Sequence, residues 1–134
     1  MNPALKNEIF NKYGLCWNIN GLAHYFIEIL NRKEFLERYK EARNKYLLGR
    51  DKFFNQLLTL KKVKVYPSHA NFFILDCFDN VEKFFSKLLF EKNIYTRILN
   101  DKLDLEPNFL RVACGTEEDN NKVFNAFKQI ENEI

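Results

Sequence analysis

The chain has 134 residues, 46% hydrophobic, 16% aromatic and 29% charged, and 21 Lys+Arg against 18 Asp+Glu give a formal charge of +3. Its 14 Phe, 6 Tyr and single Trp supply a core, and a domain of this size buries roughly 68% of its unfolded surface, which excludes intrinsic disorder. Basic residues alternate with acidic ones, against a nucleic-acid stripe, and apolar runs such as residues 72–75 are far short of the ~20 that a membrane-spanning helix needs.

In chain order, residues 1–14 contain Glu8 and no apolar run followed by small residues, so they do not read as a secretory signal, and the cytoplasm is the default expectation. Residues 21–30 place Leu22, Phe26, Ile29 and Leu30 at helical spacing. Residues 33–60 continue as one long helix carrying Phe35, Leu36, Tyr39, Tyr46, Leu47, Phe53, Phe54, Leu57 and Leu58. Its surface charges include one favourable i,i+4 pair, Glu34 with Arg38, and one unfavourable pair, Glu37 with Glu41, so packing must stabilise it.

The pattern changes after Leu60. Val63 and Val65 alternate with lysines and predict a short half-buried strand ending at Pro67, with Lys61, Lys62 and Lys64 on a solvated strand edge. Residues 70–77 are a continuous apolar run, which predicts a central strand covered on both faces. Asp79 or Asn80 caps a helix bearing Val81, Phe84, Phe85, Leu88 and Leu89, and Asn93 suits a left-handed end. Residues 94–99 and 108–114 are two further strands joined by a polar loop containing Pro107. Thr116 followed by three acids opens the last helix, which displays Val123, Phe124, Phe127 and Ile130. The expected fold is α+β, two layers within the broad α/β class: a small mixed sheet of about four strands covered by helices and preceded by a long helix.

Arg97 and Arg111 each interrupt an apolar strand. A guanidinium is always charged and presents a planar fork of donors, so it is costly inside a sheet unless it meets a carboxylate or phosphate. Together the two suit a dianionic ligand; alternatively, each simply points to solvent. His24 reads as a helix-surface histidine and His69 as a turn histidine. Cys16, Cys77 and Cys114 are too few and too scattered for a tetrahedral metal site and read as reduced apolar packing.

Four segments carry a family pattern: Trp17-Asn18-Ile19-Asn20 with Gly21-Leu22-Ala23; residues 65–72, VYPSHANF; Asn93-Ile94-Tyr95-Thr96-Arg97; and Asn108-Phe109-Leu110-Arg111-Val112 with Gly115-Thr116-Glu117-Glu118 and Asn120. In order and spacing they resemble the C-terminal small domain of fold-type I pyridoxal-phosphate aminotransferases, nearest the histidinol-phosphate aminotransferase group. The resemblance implies that residues 1–31 form a hinge segment and a helix against a large domain, and that 32–134 form the small domain. It implies that Arg111 grips the substrate carboxylate and Arg97 a second, distal anion. Asn93 stands where the family often has Gly, and His69 where an acid is common.

The same resemblance places the Schiff-base lysine, the partner of the pyridine nitrogen and the cofactor-phosphate cup upstream of this region. None of the lysines here stands in the family's lysine motif, S-K-x-F/Y-G-L-A-G-x-R. Pyridoxal phosphate is therefore expected in the intact enzyme and not on this chain alone, which is expected to be inactive by itself. Expected partners are the large domain or a homodimer partner and a phosphorylated amino acid or amino alcohol, with neither nucleic acid nor membrane. Three functions stay open: a fragment of an aminotransferase, the leading expectation; a fragment of an amino-acid-phosphate decarboxylase; and a non-catalytic module that binds an anion or partner. Contacts made with a large domain would leave apolar surface exposed near Trp17, Ile19 and Phe26.

Overall fold

The structure is a computed structural model that describes residues 3–13, 19–100 and 108–134. The chain divides into two compact units, Met1–Ala42 and Arg43–Ile134, and the division falls inside one long helix.

The first unit contains α1 (Pro3–Tyr13), α2 (Gly21–Ile29) and the start of α3 (Lys33–Leu57). The apolar periodicity does not predict α1; its opening proline suits a first helical turn, where the missing N–H would have no partner anyway. Asn20 caps α2, its Oδ1 accepting from the Ala23 N–H at 2.8 Å. No residue of α2 is buried, although five of its nine are large and apolar. Phe26 meets Phe35 and Tyr39 of α3 edge-on, with ring centroids 5.7 and 5.8 Å apart. Ile19 and Phe26 are exposed, as expected; Trp17 and Cys16 lie outside the described residues. Arg38 and Glu34 form their i,i+4 pair at 3.5 Å in solvent.

The second unit holds the rest of α3, then β1 (Lys64–Tyr66), β2 (Phe72–Asp76), α4 (Val81–Phe90), β3 (Arg97–Ile98), β4 (Phe109–Ala113) and α5 (Glu117–Glu133). The four strands form one sheet in the order β1-β2-β4-β3. Every neighbouring pair is antiparallel, where a mixed sheet was expected. β2 and β3 do run the same way, but β4 inserts between them and removes the parallel contact.

Alternation sorts the strands onto two faces. Val65, Phe73, Leu75, Leu110 and Val112 are buried on one side. Phe53 and Leu57 of α3, Phe84 and Leu88 of α4, and Phe127 and Ile130 of α5 join them in one core. Phe73 packs between Phe53 and Phe54, with centroids 6.0 and 5.3 Å away. The expectation that β2 is covered on both faces is corrected: its burial alternates, with Phe72, Ile74 and Asp76 only half-buried. Its apolar run reflects two differently used faces.

Local chemistry fixes the ends. Asn93 adopts φ 54°, and the Ile94 N–H reaches back to the Leu88 carbonyl at 2.8 Å, closing α4. Asn80 stands at the N-cap of α4 after a single 3-10 turn, yet its side chain makes no capping bond. β3 spans two residues instead of the six expected. Thr116 and Asp119 form a reciprocal capping box at α5, and a Cβ at Gly115 would lie 3.0 Å from Asp119, so a larger residue there would press on the capping side chain. Among the described residues no helix is long and apolar enough to cross a membrane.

Candidate functional site

The face of the sheet away from the core carries the two arginines. In the register, Arg97 of β3 lies directly opposite Arg111 of β4. Arg111 in turn lies opposite Ile74 of β2, and Ile74 opposite Tyr66 of β1. A single row thus crosses four strands: Tyr66, Ile74, Arg111, Arg97. Opposed residues in an antiparallel pair have Cβ atoms ~4.5–5.5 Å apart, and like charges so placed are destabilising unless something negative lies between them. Both sequence-derived site residues are therefore brought together, on one face and at one level.

Their surroundings differ. Arg111 is exposed and Arg97 half-buried. The Arg111 guanidinium lies 5.2 Å from the centroid of the Phe72 ring, and no salt bridge to it forms among the described residues. An aromatic pair, Tyr66 and Phe109, sits alongside, ring centroids 6.1 Å apart, with the Lys64 ammonium 5.0 Å from the Tyr66 ring centroid. The acid of this face, Asp76, is occupied: its Oδ1 accepts from the Phe78 N–H at 2.9 Å. The result is a face with aromatic rings, one of them under Arg111, and two arginines at one level, a pairing of charges suited to a small molecule with two negative ends.

The turns behind the row are tied down. The Cys114 N–H donates to the Asn71 carbonyl at 2.9 Å, and the Gly115 N–H donates to Asn120 Oδ1 at 2.9 Å. Tyr46 donates its hydroxyl to the Cys114 carbonyl at 3.4 Å, and burial, reinforced by Cys114, pushes its pKa up to about 12. Asn120 and Tyr46, whose roles here sequence reasoning missed, thus fix the end of the strand that carries Arg111. An asparagine one turn into a capped helix was the available signal for the first; nothing in the sequence marks the second.

Other candidates carry no chemistry. Cys77 is fully buried, and burial pushes its thiol up to about 12, so it is no nucleophile at neutral pH. Cys114 is buried and accepts from Asn120 Nδ2 at 3.5 Å. His24 pairs with Glu28 on the surface of α2 at 3.5 Å, and His69 is exposed in the β1–β2 turn. Among the described residues no group of His, Cys, Asp and Glu could hold a metal. An open groove of about 530 Å³ is lined by Thr59, Lys61, Lys62, Lys128, Glu131 and Asn132, but Glu131 is used structurally, accepting the Lys61 and Lys62 N–H groups at 2.8 and 3.3 Å. It does not involve the arginine row.

Residues 14–127 match the family model for aminotransferases of class I and II. The chain is 40% identical over 127 residues to the L-serine phosphate decarboxylase of Sulfurospirillum multivorans, covering 93% of this chain and 32% of that protein. It is also 40% identical over 114 residues to L-serine phosphate decarboxylase Cj1436c of Campylobacter jejuni, covering 84% of this chain and 29% of that protein. A histidinol-phosphate aminotransferase of Hydrogenobaculum is 35% identical over 122 residues, covering 91% and 33%. The solved structure of a decarboxylase from Sulfurospirillum multivorans superposes with a TM-score of 0.80 at 36% identity, over 98% of this chain and 34% of that one. The chain therefore spans about a third of the length of the relatives it matches.

The intact enzymes of that family use pyridoxal phosphate. The side chains described here do not make a site for it: the arginine face offers guanidinium forks, and its lysine, Lys64, is on β1, two strands from Arg111, with its ammonium against a tyrosine ring.

Proposed function

From the premise that the chain belongs to the class I and II aminotransferase family, we propose that it is the C-terminal, substrate-clamping part of a pyridoxal-phosphate enzyme that decarboxylates a phosphorylated amino acid of the phosphoserine type. The leading expectation from the sequence was transamination. The 40% identity to two phosphoserine decarboxylases and the 0.80 superposition on a decarboxylase favour the other branch.

The observation that carries the reading is the opposition of Arg97 and Arg111 on one sheet face. Two guanidinium forks set at one level of one sheet face suit a ligand with two anions. Arg111, more exposed and backed by a ring, takes the carboxylate; Arg97 takes the phosphate. Fixing both ends of the molecule fixes rotation about its central carbon, and that rotation decides whether carboxylate or hydrogen is presented for departure. Cofactor and lysine would be held by the part of the family fold upstream of this chain.

The test uses the enzyme in which this chain is joined to the rest of the family fold, supplied with O-phospho-L-serine. Carbon dioxide release without oxo-acid formation is the expected result. Oxo-acid formation without carbon dioxide would return the assignment to transamination, the reading favoured by the 35% identity to a histidinol-phosphate aminotransferase. Neither product, together with retained phosphoserine binding, would leave a non-catalytic module.

A further inference from the structure

We propose that Phe72 is a positioning residue, holding the Arg111 guanidinium against β2 so that its fork is set for the substrate carboxylate; this rests on the clamp reading above. The register leaves Arg111 two directions to lean. Toward β3 it meets the charge of Arg97, directly opposite. Toward β2 it meets Ile74, directly opposite, and Phe72, two residues along the same face and paired with Ala113.

The guanidinium takes the second direction, 5.2 Å from the Phe72 centroid. A ring face is electron-rich and attracts a guanidinium without consuming its N–H donors. A carboxylate partner within the protein would occupy the fork and compete with the ligand. The ring therefore orients Arg111 while leaving its donors available, and the small Ala113 opposite Phe72 leaves that end of the row uncrowded.

An attraction of this kind at an exposed site corresponds to roughly a two- to fivefold change in an equilibrium constant. The experiment uses the 134-residue chain labelled with ¹⁵N and titrated with O-phospho-L-serine and with O-phosphoethanolamine, which lacks the carboxylate. The Arg111 Nε–H resonance is assigned by its loss in Arg111→Lys. Expected in Phe72→Leu are loss of the ring-current shift on that resonance, phosphoserine affinity weaker by about two- to fivefold, and unchanged phosphoethanolamine affinity. Phe72→Tyr, which keeps the ring, restores the shift and the phosphoserine affinity.

An unshifted Arg111 resonance in Phe72→Leu, or an undiminished preference for phosphoserine, overturns the positioning role while leaving the clamp intact. If Arg111→Lys also leaves the preference unchanged, or the unsubstituted chain binds neither compound, the clamp reading itself fails and the role of Phe72 with it. Equal weakening of both ligands in Phe72→Leu assigns the ring a merely structural role and likewise overturns the proposal.

Discussion

The two faces of the sheet are built from the same four strands and serve opposite ends. One presents Phe73, Leu75, Leu110 and Val112 to helices and is dry; the other presents Phe72, Ile74 and Arg97, half-buried, and Arg111, exposed. Both are rich in apolar side chains, so hydrophobicity does not distinguish them. What differs is whether a charge occupies the row: one face packs against helices, and the other carries the two arginines. Under the proposed clamp, stability and ligand recognition are separated by the thickness of one sheet.

That separation is broken most sharply from the dry side. Phe73→Ala removes a ring lodged between Phe53 and Phe54 and should destabilise the chain by about 3–5 kcal/mol, read from the midpoint of a urea titration. A fall of that size consumes much of the stability of a small domain. A loss below about 1 kcal/mol would mean that this side repacks freely, out of keeping with a core.

Next in size is Glu131→Ala. The buried carboxylate accepts the Lys61 and Lys62 N–H groups where α3 gives way to β1, and orphaning them should lower stability by about 1–3 kcal/mol. Faster amide exchange confined to residues 60–63 would place the damage there.

Thr116→Ala tests the junction between the faces, since it uncaps the helix that follows the Arg111 strand. The loss should be about 1 kcal/mol by thermal melting. Acid acts on the same box: the Thr116 hydrogen bonds hold the Asp119 carboxyl below its ordinary value. Its contribution is therefore fully present above the ordinary carboxylate range and lost as pH falls through the lowered value in the folded state. Glu117, beside Lys52, and Glu133, beside Lys87, shift the same way, so acid loosening should begin at α5, visible as early loss of helical amides.

The smallest effects on stability are expected beside and within the arginine row. Thr96, buried with a hydroxyl that makes no hydrogen bond, should tolerate Thr96→Val with no loss or a gain of up to ~1 kcal/mol. Arg111→Ala should shift the melting free energy by no more than about 0.5 kcal/mol while abolishing discrimination between phosphoserine and phosphoethanolamine. A large destabilisation there would erase the division between the two faces.

Much of this was legible in the residues. Helical spacing located α2, α3, α4 and α5; the hydroxyl and acids at Thr116 and after marked a cap, and Asn93 a left-handed end. Three features were hidden for physical reasons. Phe72 and Ile74 fill the open face of β2 with apolar side chains, so the alternation that reveals a one-sided strand disappears into a continuous run. β3 is held by its neighbour, and a two-residue strand has no periodicity of its own. Strand order depends on pairings across the chain, which is why a mixed sheet was expected. At the site, the identities of both arginines could be read, but their opposition rests on that same long-range pairing, and alternation alone left both free to face solvent separately.

The insertion of β4 between β2 and β3 also sets a timetable. During synthesis, Arg97 leaves the ribosome before the strand that will hold it exists, and β3 has nothing to bond until residues 109–113 arrive. On the proposed clamp reading, the nascent chain therefore cannot bind a ligand through this row while the sheet is incomplete. Docking of β4 fills the gap between its two neighbours and brings both charges together in a single step, so the proposed binding surface comes into being only with the last strand made.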